Sequence, residues 1–191
     1  MKATHRSLRR LSAAIAIAGT TVLIPTVALA AAGQPATSGP AATPAAAAAR
    51  CPAGALTDWI GVPGSGAAGS VYYMLEISNT SAHTCTLYGF PGVSAITARG
   101  RQLGSMAQRS GSYPERLLTL RPQSTVHVIL QITDVHNFTA SACHPAVAWG
   151  LRVYAPGAYL SSTIAFPSLA CSRRGPSYLT VSTTLAGVGI P

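Results

Sequence analysis

The side chains able to do chemistry in this sequence are few and far apart, and each arrangement they form needs a scaffold that has to be found separately. Asp134 and His136 stand two apart, a spacing at which a carboxylate can orient an imidazole. One of the many serines would complete a nucleophile, a base and an orienting group. No G-x-S-x-G elbow is present to lift a serine above a sheet. A solvated loop is the favoured reading, because two residues without a third define no geometry. Cys143-His144 sets a thiol beside an imidazole, and His83, His127, His136 and His144 with Met74 and Met106 are the donor types of a copper site. There is no His-x-His or Met-x-x-Met cluster, and a disulfide at Cys143 would remove the thiolate. Scattered surface histidines are the expectation, with no metal and no cofactor.

Gly64-Ser65-Gly66-Ala67-Ala68-Gly69 matches the G-x-G-x-x-G dinucleotide fingerprint. That chemistry requires the glycines to open a helix whose N-terminus holds pyrophosphate. Here they lead into a strand pattern, so a flexible inter-strand loop is expected. Arg99, Arg101, Arg109, Arg116 and Arg121 form the strongest charge concentration, offset only by Glu115. Five arginines in a stretch rich in Gly and Ser predict an exposed loop, suited to an anionic partner such as cell-wall polymer or a membrane surface. Tyr113 is the only aromatic side chain among them, which gives no stacking platform for nucleic acid.

These residues sit in a chain built for export. Lys2, Arg6, Arg9 and Arg10 make a basic start, an apolar stretch runs from Leu11 to Leu29, and Ala28-Leu29-Ala30 has the small-x-small form of a cleavage site. Residues 1–30 are read as a signal peptide, placing the protein outside the cell. Residues 31–50 are low-complexity Ala, Pro, Gly, Ser and Thr, with no periodicity to bury a face, and read as a disordered linker. Beyond Ala30 nine arginines face four carboxylates, Asp58, Glu76, Glu115 and Asp134, for a net charge of +5. The all-arginine, alanine-rich usage hints at a high-GC bacterial genome.

All four cysteines, Cys51, Cys85, Cys143 and Cys171, lie beyond the signal. An even count in an exported chain favours disulfides, and no two cysteines approach zinc-knuckle spacing. Of three possible connectivities, Cys51–Cys85 with Cys143–Cys171 is preferred, because sequence-near pairs suit consecutive strands. Each would close a loop of about thirty residues, worth ~3–4 kcal/mol.

The positioning elements are strands. Val71, Tyr73, Leu75 and Ile77 alternate with Tyr72, Met74, Glu76 and Ser78; Val126, Val128, Leu130 and Ile132 alternate with His127, Ile129 and Gln131. Val147, Trp149, Leu151 and Val153 alternate with Ala148, Gly150, Arg152 and Tyr154. Period two of this kind sets one face on a core. Weaker strands are expected at 56–62, 84–87, 93–97, 117–120, 160–166 and 178–184, with turns at Gly64-Ser65-Gly66, Pro91-Gly92, Arg121-Pro122 and Pro156-Gly157. No sustained helical period follows the linker. The prediction is an all-β domain over residues 51–191, an immunoglobulin-like β-sandwich of about 7–9 strands. A jelly roll or small barrel would bury the same alternating faces.

Several blocks together carry a family resemblance. Gly69-Ser70 leads a strand into Asn79-Thr80-Ser81, and Cys85-Thr86-Leu87-Tyr88-Gly89-Phe90-Pro91-Gly92 follows. Leu120-x-Pro122 then precedes a strand, Leu151-x-Val153 is followed by Pro156, and Cys171 precedes Leu179-x-Val181. The chain resembles an exported actinobacterial family known as domain of unknown function 4232, over most of residues 51–185. Gln123 stands where a turn glycine is usual, and Gln131-Ile132 replaces a position often held by tryptophan. The resemblance implies an exported, disulfide-tied β-domain and supplies no activity. The sequence therefore favours a non-catalytic exported domain that binds or associates with the cell wall. The rival readings are a secreted hydrolase or metal-binding protein with a dispersed site, and an extracellular protease inhibitor presenting the segment near Gly89–Gly92.

Overall fold

Alternation of apolar and polar side chains builds two facing sheets in the computed structural model, which describes residues 47–189. The predicted signal peptide and most of the linker lie outside the described residues. Strands β1 (Leu56–Ala67), β2 (Ser70–Asn79), β8 (Thr125–Thr133), β11 (Leu179–Val181) and β6 (Gln108–Arg109) form the first sheet in that order, and β12 (Leu185–Ala186) also pairs with β8. Strands β10 (Ser161–Cys171), β9 (Pro145–Tyr154), β4 (Gly92–Ile96) and β5 (Gln102–Leu103) form the second. A small ribbon joins β3 (Cys85–Leu87) to β7 (Leu118–Leu120). All pairings within these sheets are antiparallel except β11 with β6. The fold is an all-β sandwich, and its sheets do not close into a barrel.

The two inner faces meet as the sequence pattern requires. Leu75, Ile77, Val128 and Leu130 from the first sheet share a buried cluster with Val93, Leu151 and Val153 from the second. Tyr73 meets Phe166 edge-on across the layers, with ring centres 5.0 Å apart. Such contacts remove apolar surface from water at roughly 25 cal/mol per Å². At the top of the sandwich Asn79, fully buried, ties three segments together. Its amide nitrogen donates to the carbonyls of His83 and Leu120, and its side-chain oxygen accepts from the backbone N–H and hydroxyl of Ser81.

Three expectations are corrected by the backbone. β1 does not stop at Val62 but continues through the glycine-rich stretch to Ala67, and the reversal into β2 falls on Ala68 and Gly69, both at positive φ. A bulge in β10 between the pairs Ala165↔Gly150 and Ser168↔Ala148, where Phe166 and Pro167 oppose Trp149 alone, changes which face of β9 meets the core. Leu151 and Val153 point into the core, whereas Val147 and Trp149 of the same alternating set are exposed and Ala148 is buried. Finally, β5, β6 and β12 are two-residue strands that no sequence period reveals, and they raise the count above the expected range.

The resemblance noted Gln123 in place of a usual turn glycine, and the backbone keeps the conformation that glycine favours. Gln123 has φ 63° in the turn Arg121–Ser124, where the N–H of Ser124 donates to the carbonyl of Arg121. Proline followed by a positive-φ residue is the pattern of a type II turn. The linker's last residues also join the fold. Arg50 bridges in parallel to Thr86, and the N–H of Thr86 donates to the carbonyl of Ala49. No helix of the described residues is long and apolar enough to cross a membrane.

Candidate functional site

All five arginines singled out in the sequence are exposed, and none makes an ion pair among the described residues. They do not share one loop. Strands β5, β6 and β7 carry the segment through three different sheets, so its charges are distributed among separate elements. Arg99 and Arg101 flank the β4–β5 turn, closed by Gly100 N–H to the carbonyl of Thr97. Arg152 donates to the carbonyl of Gly100 and braces that turn. Arg109 lies on β6 with its guanidinium 5.4 Å from the centre of the Phe90 ring, a cation–π contact. Arg116 lines a recess with Tyr113, Pro114 and Leu118, and Arg121 opens the turn before β8.

Asp134 and His136 do come together. Asp134 caps the 3-10 turn Val135–Asn137, accepting from the backbone N–H of His136, and its Oδ1 lies 2.8 Å from the His136 ring Nδ1. These two hydrogen bonds hold its carboxyl below the ordinary aspartate range, the backbone one contributing most. Both side chains are more than half exposed. A groove of about 500 Å³ opens beside Asp134 between the β1–β2 turn and β10. Its lining includes Tyr73 and Phe166, and two of its hydroxyls, those of Ser70 and Thr133, are already engaged. Ser70 and Thr133 bond each other at 3.2 Å, and Gln131 donates to Ser70. No serine hydroxyl bonds His136 among the described residues, so the dyad has capping geometry and no attached nucleophile.

The other candidate ligands stay apart. No group of three or more His, Cys, Asp or Glu side chains that could hold a metal occurs among the described residues. Cys143 is bonded to Cys171 and Cys51 to Cys85, the connectivity preferred from the sequence, and no cysteine is free. His144 takes φ 47° as the C-cap of the short helix α1 (Ala140–Cys143). The segment Gly89–Gly92 does not project as an inhibitor loop would. Gly89 and Pro91 are buried, and the Gly89 carbonyl accepts from the N–H of Thr184 and from the hydroxyls of Thr183 and Thr184.

Of two carboxylates that the sequence left on ordinary strand faces, Glu76 is buried and Asp58 half-buried. Glu76 points outward from β2 yet is only 2% exposed, because the segment after β12 crosses over it. The N–H of Gly189 donates to its Oε1 at 2.9 Å, and Gly187 O lies 2.9 Å from Nδ1 of His127, the residue paired with Glu76 on β8. Its Oε2 has no partner in the protein. Burial raises the Glu76 carboxyl above the ordinary range, against smaller opposing effects of Gly189 and His127. Asp58 pairs with inward-facing Ile77 and so points between the sheets. The hydroxyl of Ser162 on β10 donates to its Oδ2, while Oδ1 is buried without a partner. Burial again raises the carboxyl, opposed by Ser162.

Two facing sheets with a disulfide joining neighbouring segments at each end define a disulfide-tied β-sandwich domain. The chain belongs to the family described as Domain of unknown function (DUF4232), whose model matches residues 51–184. Neither the curated proteins nor the solved structures contain a match to it.

Proposed function

We propose that this chain is an exported, non-catalytic domain that associates with anionic cell-wall polymer through its exposed arginines. The observation that carries the reading is that Arg99, Arg101, Arg109, Arg116 and Arg121 are all solvent-facing without a carboxylate partner among the described residues. Beyond the predicted signal peptide the chain carries nine arginines against four carboxylates. Unpaired exposed charge attracts a polyanion from several sides without a shaped pocket. Distribution over separate elements suits a flexible polymer that can wrap, more than a single compact anion. The mutual hydrogen bond of Ser70 and Thr133 in the groove beside Asp134, and the capping role of Asp134, favour binding over catalysis. Two disulfides suit an oxidising compartment outside the cytoplasm.

The test is co-sedimentation with purified cell walls, comparing the wild-type domain with Arg99, Arg101, Arg109 and Arg116 changed together to serine. The wild type is expected to sediment at low salt and to be released as the screening length shortens to ~8 Å at 0.15 M. The variant is expected to stay in the supernatant. Equal sedimentation of the two proteins, or binding indifferent to salt, overturns the proposal. Preference for anionic vesicles over walls would redirect it to a membrane surface.

A further inference from the structure

We infer that a recess at the sandwich edge, between β1 and the β9–β10 hairpin, is a binding site for a primary ammonium group on a short aliphatic chain, with Asp58 as its counter-charge. The strand register forces the carboxylate there. Leu56 and Ile60 pair with Asn79 and Leu75 on either side of the pair Asp58↔Ile77, so Asp58 occupies a core-facing position between two apolar ones. A carboxylate at such a position costs free energy unless its oxygens are satisfied. Ser162 satisfies one of them, and no donor of the protein reaches Oδ1.

The recess beside Asp58 has the size and lining for such a ligand. It measures about 230 Å³ and is walled by Leu56, Val153, Ala155 and Leu160, with Ser161 and Ser162 as its other polar residues. Pockets for drug-sized ligands span ~300–1,000 Å³, so this one takes a group the size of a side chain. Apolar walls fit methylenes, and a single carboxylate with a free acceptor fits an N–H donor of opposite charge. An anion would meet Asp58 with the wrong sign, and a neutral apolar group would leave Oδ1 unpaired. Arg50 lies against Gly157 in the same hairpin but makes no ion pair with Asp58. The site is separate from the arginines and does not depend on them.

The cation has two possible sources, a free alkylamine or a lysine side chain of a peptide, and both share the ammonium chemistry. The experiment is calorimetric titration of the purified domain at fixed ionic strength with n-butylamine hydrochloride and with Nα-acetyl-lysine amide. Butanol, tetramethylammonium chloride and Nα-acetyl-norleucine amide serve as controls. Both amines, or one of them, are expected to bind, and the controls to bind at least tenfold more weakly. Binding of butylamine alone assigns free amines, and binding of the lysine derivative alone assigns peptides. Asp58→Asn is expected to weaken binding at least tenfold, with far-UV circular dichroism and cooperative unfolding showing that it still folds. Ser162→Ala, which keeps the charge, is expected to bind with a smaller loss and guards against an Asp58 variant that does not fold. No binding by either amine, equal binding by wild type and Asp58→Asn, or equal binding of the uncharged analogues overturns the inference.

Discussion

Replacing Glu76 by glutamine isolates the energetic effect of a charge buried under the protein's own tail. The carboxylate is 2% exposed, with one oxygen held by Gly189 N–H and the other without a partner. Burial raises its carboxyl in the folded state, so the folded protein holds that proton more tightly than the unfolded chain. The stability Glu76 contributes is therefore fully present below the ordinary glutamate value of about 4.3 and is lost as pH rises through the raised value. Within that window one group sets a slope of at most about 1.4 kcal/mol per pH unit. Asp58, also raised, adds a slope of the same sign. Asp134, lowered, acts with the opposite sign and at lower pH. Urea unfolding from pH 4 to 8 at constant ionic strength, followed by far-UV circular dichroism, reads the slope directly. Glu76→Gln should show a shallower decline and be more stable than wild type at pH 8, by on the order of 1 kcal/mol. An amide has no charge to desolvate, and its oxygen still accepts from Gly189. Deleting residues 185–191 should also flatten the profile, because the carboxylate becomes hydrated. The lost hydrogen bonds, ~0.5–1.5 kcal/mol each, are then offset by the freed chain entropy of ~1–2 kcal/mol per residue. A Glu76→Gln profile parallel to wild type, or less stable at every pH, would refute the reasoning.

Two further predictions concern the frame. The bridges Cys51–Cys85 and Cys143–Cys171 span sequence separations of 34 and 28 residues, which the chain-entropy model makes nearly equivalent at ~3.5–4 kcal/mol each. Changing either pair to alanine should lower the calorimetric melting midpoint by roughly 10 °C, at about 2.1 cal/mol/K per residue of unfolding entropy; a loss from one pair only would show that local packing, and not loop closure, dominates. Gln123→Gly should leave stability unchanged or raise it by up to about 1 kcal/mol in urea unfolding, since relief at φ 63° is partly cancelled by the freer unfolded chain. A clear loss would mean that the glutamine side chain makes a contact that outweighs its backbone strain.

The strands of the central ladder were legible because each keeps one face on the core over many residues. β2 and β8 pair in register from Ser70↔Thr133 to Ser78↔Thr125, and their alternation has nothing to interrupt it. Where a local irregularity intervened, periodicity misled. The bulge of β10 opposite Trp149 leaves Val147 and Trp149 facing outward, although their types and spacing match Leu151 and Val153. Two-residue strands such as β5 and β6 contain no period at all, so the arginine-bearing segment read as a loop. The surroundings of Glu76 and Asp58 were hidden for a different reason. Glu76 lies on the face that alternation assigns to solvent, and its cover comes from more than a hundred residues away in the chain. Asp58 sits on the inward face of an irregular edge strand, where register shifts after Ile60 weaken any pattern.

The positions of these two acids separate what the family domain provides from what this chain's tail adds. Beyond the predicted signal peptide the chain has only four carboxylates, and one of them is buried and another half-buried where arginines are plentiful but not paired with them. Glu76 is covered by residues 187–189, just past the end of the family match at Thr184, so its burial depends on a segment outside the matched domain. Asp58, Ser162 and the walls of their recess all lie within residues 51–184. Removing the tail should therefore alter the pH dependence of stability without altering ammonium binding, while Asp58→Asn should weaken binding at least tenfold and leave the Gly189–Glu76 contact in place. Tail deletion that also abolished amine binding would couple the two sites through the first sheet, since both acids lie on the paired strands β1 and β2. Independent responses would assign the recess to the matched domain and the covered glutamate to the tail.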